Sequence, residues 1–102
     1  MSVLNVTKDS FKEEVLESGK TVLADFWAAW CGPCRMLSPL IEEVSKERND
    51  IKVIKINIDE EPELASEYNI MSIPTLIVFR DGKVINTSIG AVPKHSILAL
   101  LK

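Results

Sequence analysis

A chain of 102 residues, 46% apolar and 26% charged, has the length and composition of one globular domain, so we expect a single domain over residues 1–102. The net charge of −3 and the scattered Lys and Arg residues argue against a nucleic-acid partner, because such domains carry clustered basic residues. No apolar run approaches the roughly 20 residues of a membrane span, and Met1 to Val6 does not resemble a signal peptide, so we expect a cytoplasmic protein with no membrane partner.

The first half of the chain alternates between strand and helix patterns. Val3 to Val6 is a short strand candidate, and a helix with Phe11 and Val15 on one face follows it. Thr21 to Trp27 is apolar on both faces, which is typical of a central parallel strand covered by helices on both sides. From Cys31 the apolar residues take helical spacing, at Leu37, Leu40, Ile41 and Val44.

The second half predicts three more strands and two more helices. The strands are expected at 51–58, 75–79 and 84–89, and the helices start at Pro62 and Pro93. The turn Asp81-Gly82 indicates that the last two strands form an antiparallel hairpin. The order of elements predicts an α/β fold with helices on both faces of a mixed sheet of about five strands.

Both cysteines of the chain, Cys31 and Cys34, lie where a buried strand turns into a helix. The unpaired N–H groups of a helix start favour negative charge, so the thiolate of Cys31 should be stabilised and should be the attacking group. Pro33 suits a first helical turn, and Gly32 allows another chain to approach closely. Cys34, inside the helix and less exposed than Cys31, would be the resolving thiol of a dithiol/disulfide centre.

Asp25 is an ionisable residue in an otherwise apolar strand. Burial of a carboxylate raises its pKa, so Asp25 could hold or accept a proton near pH 7. Lys55, flanked by Ile54 and Ile56, is its candidate partner on a neighbouring strand. The alternatives are a structural buried acid with satisfied hydrogen bonds, and a lysine whose ammonium group reaches solvent at a strand edge.

Two other uses of the cysteine pair are less well supported by the composition. A zinc site needs four ligands, and the chain offers Cys31, Cys34 and its single histidine, His95. A metal or iron–sulfur site shared by two chains stays open. A cysteine hydrolase would need a histidine near Cys31, and His95 lies far along the chain.

Three segments of the sequence together resemble the thioredoxin family. Asp25-Phe26-Trp27-Ala28 followed by Trp30-Cys31-Gly32-Pro33-Cys34 is similar to its active site. Ile73-Pro74-Thr75 with Phe79-Arg80-Asp81-Gly82 resembles its second hallmark, and Gly90-Ala91 its third. The resemblance covers essentially the whole chain, and it implies the three-layer α/β/α thioredoxin fold with four flanking helices.

The resemblance implies a protein-disulfide reductase that cycles between a Cys31-Cys34 dithiol and a disulfide. Cys31 would form a mixed disulfide with a client protein. Cys34, deprotonated with help from Asp25 through water, would attack Cys31 and release the reduced client. No cofactor would be bound, since electrons would come from a thioredoxin reductase, a flavoprotein using NADPH. The family resemblance also suggests a monomer.

The resemblance assigns further residues to the surroundings of the cysteines. Pro74 should follow a cis peptide bond and face the cysteines, leaving the backbone of Ile73 free to pair with an extended client segment. Trp27 should pack, with its indole N–H on Asp59. An apolar client platform is expected from Trp30, Ile73, Gly90 and Ala91.

Two other functions compete with disulfide reduction. A thiol oxidant or isomerase on the same fold would tend to carry His beside the second cysteine, whereas Gly32-Pro33 is similar to the reducing members. A docking subunit would not need the intact set of Asp25, Cys31, Cys34 and Pro74. Ala29 and Ser72 depart from common family residues, and both flank the site, so we expect them to affect client preference rather than the reaction.

Overall fold

The computed structural model describes residues 3–102, which form five strands and four helices in the predicted order. The first helix, α1, is α-helical over Lys8–Phe11 and continues as a wider π-helical segment over Lys12–Leu16. The other helices are α2 (Gly32–Glu47), α3 (Pro62–Glu67) and α4 (Lys94–Leu100). The strands are β1 (Leu4–Asn5), β2 (Thr21–Trp27), β3 (Ile51–Asn57), β4 (Thr75–Arg80) and β5 (Lys83–Ile89).

The five strands form one mixed sheet in the order β1-β3-β2-β4-β5. Strand β3 runs parallel to both β1 and β2, whereas β4 is antiparallel to β2 and β5 is antiparallel to β4. Strand β2 therefore has a hydrogen-bonded neighbour on each side, and Val22 to Phe26 are all buried. The predicted central strand is confirmed, and the cysteines follow its carboxyl end, at the start of α2.

Two apolar cores lie on opposite faces of the sheet. On one face Phe11 and Val15 of α1 and Leu64 of α3 pack against alternate residues of β2, β3 and β4. On the other face the side chains of α2 and α4 pack against the intervening residues, with Leu37 and Ile97 fully buried. This alternation is what a sheet covered on both faces requires, and it gives the three-layer arrangement.

The hairpin between β4 and β5 is built on the predicted Asp81-Gly82 turn. Both residues have positive φ angles, 55° for Asp81 and 77° for Gly82, as the primed hairpin turns require. A Cβ atom on Gly82 would lie 2.9 Å from the carbonyl oxygen of Leu16. The glycine thus allows the hairpin to lie directly against the end of α1.

Candidate active site

The cysteine pair begins helix α2. Cys31 is the N-cap residue, and its Sγ accepts a hydrogen bond of 3.1 Å from the backbone N–H of Cys34. The two side chains form a disulfide, with their Cα atoms 5.3 Å apart. Their exposed fractions are 4% and 3%, so in the disulfide form the expected greater exposure of Cys31 is not seen. The two cysteines differ in their position on α2, because Cys31 is the N-cap residue and Cys34 lies within the first turn.

The loop before β4 faces Cys31. The Ile73–Pro74 peptide bond is cis, which confirms the expectation drawn from the resemblance. The carbonyl oxygen of Ile73 lies 3.8 Å from Cys31 Sγ, and the carbonyl oxygen of Pro74 accepts a 2.8 Å hydrogen bond from the Gly90 N–H. A 2.6 Å bond from the Thr75 hydroxyl to the Ser72 carbonyl closes the same loop. The structure therefore brings Cys31, the 72–74 loop and Gly90 together.

Exposed apolar side chains surround this loop. Trp30 and Ile89 are each 66% exposed, and Met71 is 91% exposed. Gly90 has a φ of 94°, which bends the chain between Ile89 and the exposed Ala91. The sequence-based platform did not include Ile89 or Met71. An apolar residue directly before a predicted bend glycine was the available signal for Ile89.

The indole of Trp30, not that of Trp27, is bonded to Asp59. Trp30 Nε1 donates to Asp59 Oδ2 at 2.8 Å, whereas the buried Trp27 Nε1 has no hydrogen-bond partner among the described residues. The prediction that Trp27 donates to Asp59 is therefore wrong. Trp30 stands at the exposed turn beside the loop that follows β3, and from there its N–H reaches the carboxylate. Trp27 instead packs with the cysteine cluster, as expected.

Asp25 is buried beneath the cysteines with an exposed fraction of 1%. Neither carboxylate oxygen has a hydrogen-bond partner among the described residues. Burial raises the pKa of Asp25 to about 7, and the positive charge of Lys55 opposes the rise. A carboxyl group with such a pKa can exchange a proton near neutral pH.

Lys55 lies directly opposite Asp25 in the register of β2 and β3. Its Nζ is 4.4 Å from the centre of the Trp27 ring, a cation–π contact rather than a hydrogen bond to the carboxylate. Asp25, Trp27 and Lys55 all line one cavity of about 160 Å³. Two of its lining residues, Arg35 and Ser38 on α2, were not among the predicted site residues. Ser38 follows Cys34 by four residues, and this helical spacing was the signal available for Ser38, whereas Arg35 had none.

Gly32 and Pro33 occupy the first turn of α2, between the cysteines. Pro33 is exposed and Gly32 is half-buried, and a Cβ on Gly32 would meet no atom within 4 Å. His95 lies at the exposed start of α4. Among the described residues no group of three or more His, Cys, Asp and Glu side chains could hold a metal ion, and no helix there is long and apolar enough to cross a membrane.

Comparison with known proteins identifies the family. The family model described as Thioredoxin matches residues 2–102. The chain belongs to the thioredoxin family. It is 53% identical to a thioredoxin of Pyropia yezoensis over 99% of this chain and 95% of that protein. It is 57% identical to a thioredoxin of Rickettsia felis over 92% of this chain and 90% of that protein, and 54% identical to Thioredoxin 1 of Synechococcus elongatus over 90% and 87%.

Membership of this family fixes the reaction class. The chain is a thiol–disulfide oxidoreductase, and its cysteine pair serves as the dithiol of a disulfide reductase. Thioredoxins carry no prosthetic group, and the family implies both disulfide-containing client proteins and a reductase partner. The predicted fold, a five-stranded mixed sheet with four helices, is confirmed as the thioredoxin fold.

Proposed function

We propose that the chain, as one domain over residues 1–102, reduces client disulfides with Cys31 as nucleophile and Cys34 as resolving thiol. The thiolate of Cys31 attacks one sulfur of the client disulfide, and the other client sulfur leaves as a thiolate. Cys34 then loses its proton and attacks Cys31. The second client sulfur leaves, and the Cys31–Cys34 disulfide remains, so the client gains the two electrons that the dithiol loses.

The supporting observation for this order is the position of Cys31 at the N-cap of α2. Its sulfur already accepts the N–H of Cys34, and the positive end of the helix dipole favours a thiolate at the same place. Cys34 stands one turn further in and borders the cavity that also contains Asp25. A deprotonated Asp25 is therefore the candidate acceptor for the proton of Cys34.

The client segment would lie across the loop at Ile73 and Pro74. Pro74 has no N–H, and the half-buried Ile73 carries its carbonyl next to Cys31. An extended client strand could bond to the backbone of Ile73 while its apolar side chains contact Trp30, Gly90 and Ala91. Gly32 and Pro33 would support the site by leaving the approach to Cys31 free of side-chain bulk.

Reduction of the Cys31–Cys34 disulfide back to the dithiol needs two electrons from another protein. We assign this role to a flavoprotein thioredoxin reductase that uses NADPH, which would dock on the same apolar rim. The protein would act as a monomer, because a dimer formed through that rim would block both clients and reductase. A cytoplasmic location fits a dithiol that must stay reduced, since the cytosol holds thiols in that state.

Reduction of insulin disulfides by catalytic amounts of protein, with dithiothreitol as electron source, tests the assignment. With dithiothreitol, we expect the wild type to turn over and Cys31→Ser to be inactive. Without dithiothreitol, reduced Cys34→Ser mixed with insulin should stop as a mixed disulfide at Cys31, detectable by mass spectrometry. A mixed disulfide trapped at Cys34 in Cys31→Ser, or none at Cys31 in Cys34→Ser, would contradict the order of attack.

A further inference from the structure

The cavity beneath the cysteines has the size of a water site, and several polar side chains border it. Its volume is about 160 Å³, whereas a water molecule in the liquid takes up about 30 Å³, so several waters fit. The carboxylate of Asp25 and the indole N–H of Trp27 are buried without hydrogen-bond partners among residues 3–102. Buried polar groups of this kind are normally satisfied by ordered water when no protein group reaches them.

The lining groups differ in what they can do with a water molecule. Trp27, Arg35 and Lys55 can only donate hydrogen bonds, and an ionised Asp25 can only accept them. Apart from the Cys34 thiol, whose proton is the one transferred, Ser38 is the neutral lining side chain that both donates and accepts. It is half-buried and follows Cys34 by four residues on α2, so the two side chains lie on the same helix face.

We propose that Ser38 and Trp27 hold the water through which Cys34 passes its proton to Asp25, which makes Ser38 a positioning residue for client release. The inference rests on the proposed function of Asp25. The proton leaves Cys34 Sγ for the water, and the water passes a proton to the Asp25 carboxylate. The Cys34 thiolate then attacks Cys31, and the departing client thiolate takes a proton from Asp25 or from solvent.

The charges around the cavity set the conditions for this relay. Lys55 from β3 and Arg35 from α2 line the cavity with positive charge, and the residue that pairs with Asp25 from β4, Leu76, is apolar. The charge of Lys55 favours the ionised carboxylate, which is the form that can accept a proton. Lys55 is held over Trp27, and Arg35 donates a 2.8 Å hydrogen bond to the carbonyl of Ala29. Neither cation can accept a hydrogen bond from the water, whereas the Ser38 hydroxyl can, so Ser38 is the lining group suited to orient it.

The test separates the two chemical steps in full-length protein. The reduced protein is mixed with a peptide dimer joined by one disulfide, quenched in acid, and analysed by mass spectrometry for the rise and decay of the mixed disulfide. We expect Ser38→Ala to slow the decay about three- to tenfold at pH 7, the effect of one lost hydrogen bond, and to leave the rise unchanged. Ser38→Thr, which keeps the hydroxyl, should restore the decay.

Two comparisons make the result specific. Ser66→Ala, at an exposed position on α3, should change neither step. In an Asp25→Asn background, Ser38→Ala should cause no further slowing, because both residues act in one relay. Unchanged decay in Ser38→Ala, equal slowing of both steps, or an additive effect in the Asp25→Asn background would overturn the role of Ser38. A wild-type decay rate in Asp25→Asn alone would instead overturn the proposed function of Asp25.

Discussion

Asp25 and Lys55 face each other on the parallel strands β2 and β3, yet no hydrogen bond joins them. The ammonium group of Lys55 lies over the ring of Trp27. Its positive charge lowers the pKa of Asp25, but the two groups form no hydrogen-bonded ion pair. Asp25 thus combines an exposed fraction of 1% with a carboxyl group that titrates near neutral pH. This arrangement is unfavourable for folding and suited to proton transfer.

Replacing Asp25 should stabilise the oxidised protein at alkaline but not at acidic pH. The folded pKa of about 7 exceeds the ordinary 3.8, so the unfolded chain ionises first and stability falls as pH rises through this window. One pKa unit is about 1.4 kcal/mol, which sets an upper bound of about 4 kcal/mol for the effect above pH 7. Guanidinium unfolding of wild type and Asp25→Asn at pH 4 and pH 8 would measure the difference, which should grow with pH. A constant difference would contradict a raised pKa.

Removing the charge of Lys55 should raise the pKa of Asp25 further. Lys55 lowers that pKa through its positive charge, so Lys55→Gln should move the titration to higher pH and shift the pH dependence of client release with it. Carbon-13 NMR of the Asp25 carboxyl group would follow the titration directly. Lys52→Gln is the matched control on the same strand, because Lys52 bonds Glu14 at 2.9 Å instead. Equal shifts in both variants would contradict a specific effect of Lys55.

Loss of the Asp59 carboxylate should affect client attack more than stability. The bond from Trp30 Nε1 lies at the protein surface, so Asp59→Ala should cost no more than about 1 kcal/mol of unfolding free energy. The freed indole would hold the client less well, and the rate of mixed-disulfide formation should fall several-fold. Asp59→Asn keeps an acceptor oxygen and should retain most of the rate. If Asp59→Ala attacked the peptide as fast as wild type, Trp30 would not need this anchor.

Gly82 should tolerate a side chain poorly, in contrast to Gly19. An alanine at position 82 would combine a φ of 77° with a Cβ 2.9 Å from the Leu16 carbonyl oxygen, so Gly82→Ala should lose at least about 2 kcal/mol. A Cβ at Gly19 meets nothing within 4 Å, and Gly19→Ala should stay within about 0.5 kcal/mol of wild type. Chemical denaturation of both variants measures this, and equal stabilities would mean that the hairpin can move away from α1.

The order of elements and the central strand could be predicted because they depend on local patterns. Apart from Asp25, Val22 to Phe26 form an apolar run that indicates burial on both faces, and Asp81-Gly82 is a turn signal over two residues. The same holds for Cys31 and Cys34, whose spacing already places them on one turn of a helix. These features need no knowledge of how distant segments approach each other.

The details of the site that were missed all depend on such approaches. Whether Trp27 or Trp30 donates to Asp59 is decided by the turn geometry after β2 and by the loop after β3, which no local pattern encodes. Ser38 and Arg35 belong to the site only because α2 lies beside β2 and β3 and lines the cavity together with them. Ile89 joins the rim only because β5 pairs with β4 beside Pro74.

Equilibration of the Cys31–Cys34 pair with glutathione tests most directly whether the protein is a reductant. At fixed pH, the fraction of dithiol is measured across a series of reduced-to-oxidised glutathione ratios by acid quench and thiol alkylation, with Pro33→His as a more oxidising comparison. We expect the wild-type disulfide to persist until reduced glutathione is in large excess, and Pro33→His to be reduced at lower ratios. A wild-type disulfide reduced by small amounts of glutathione would contradict the assignment as a disulfide reductase.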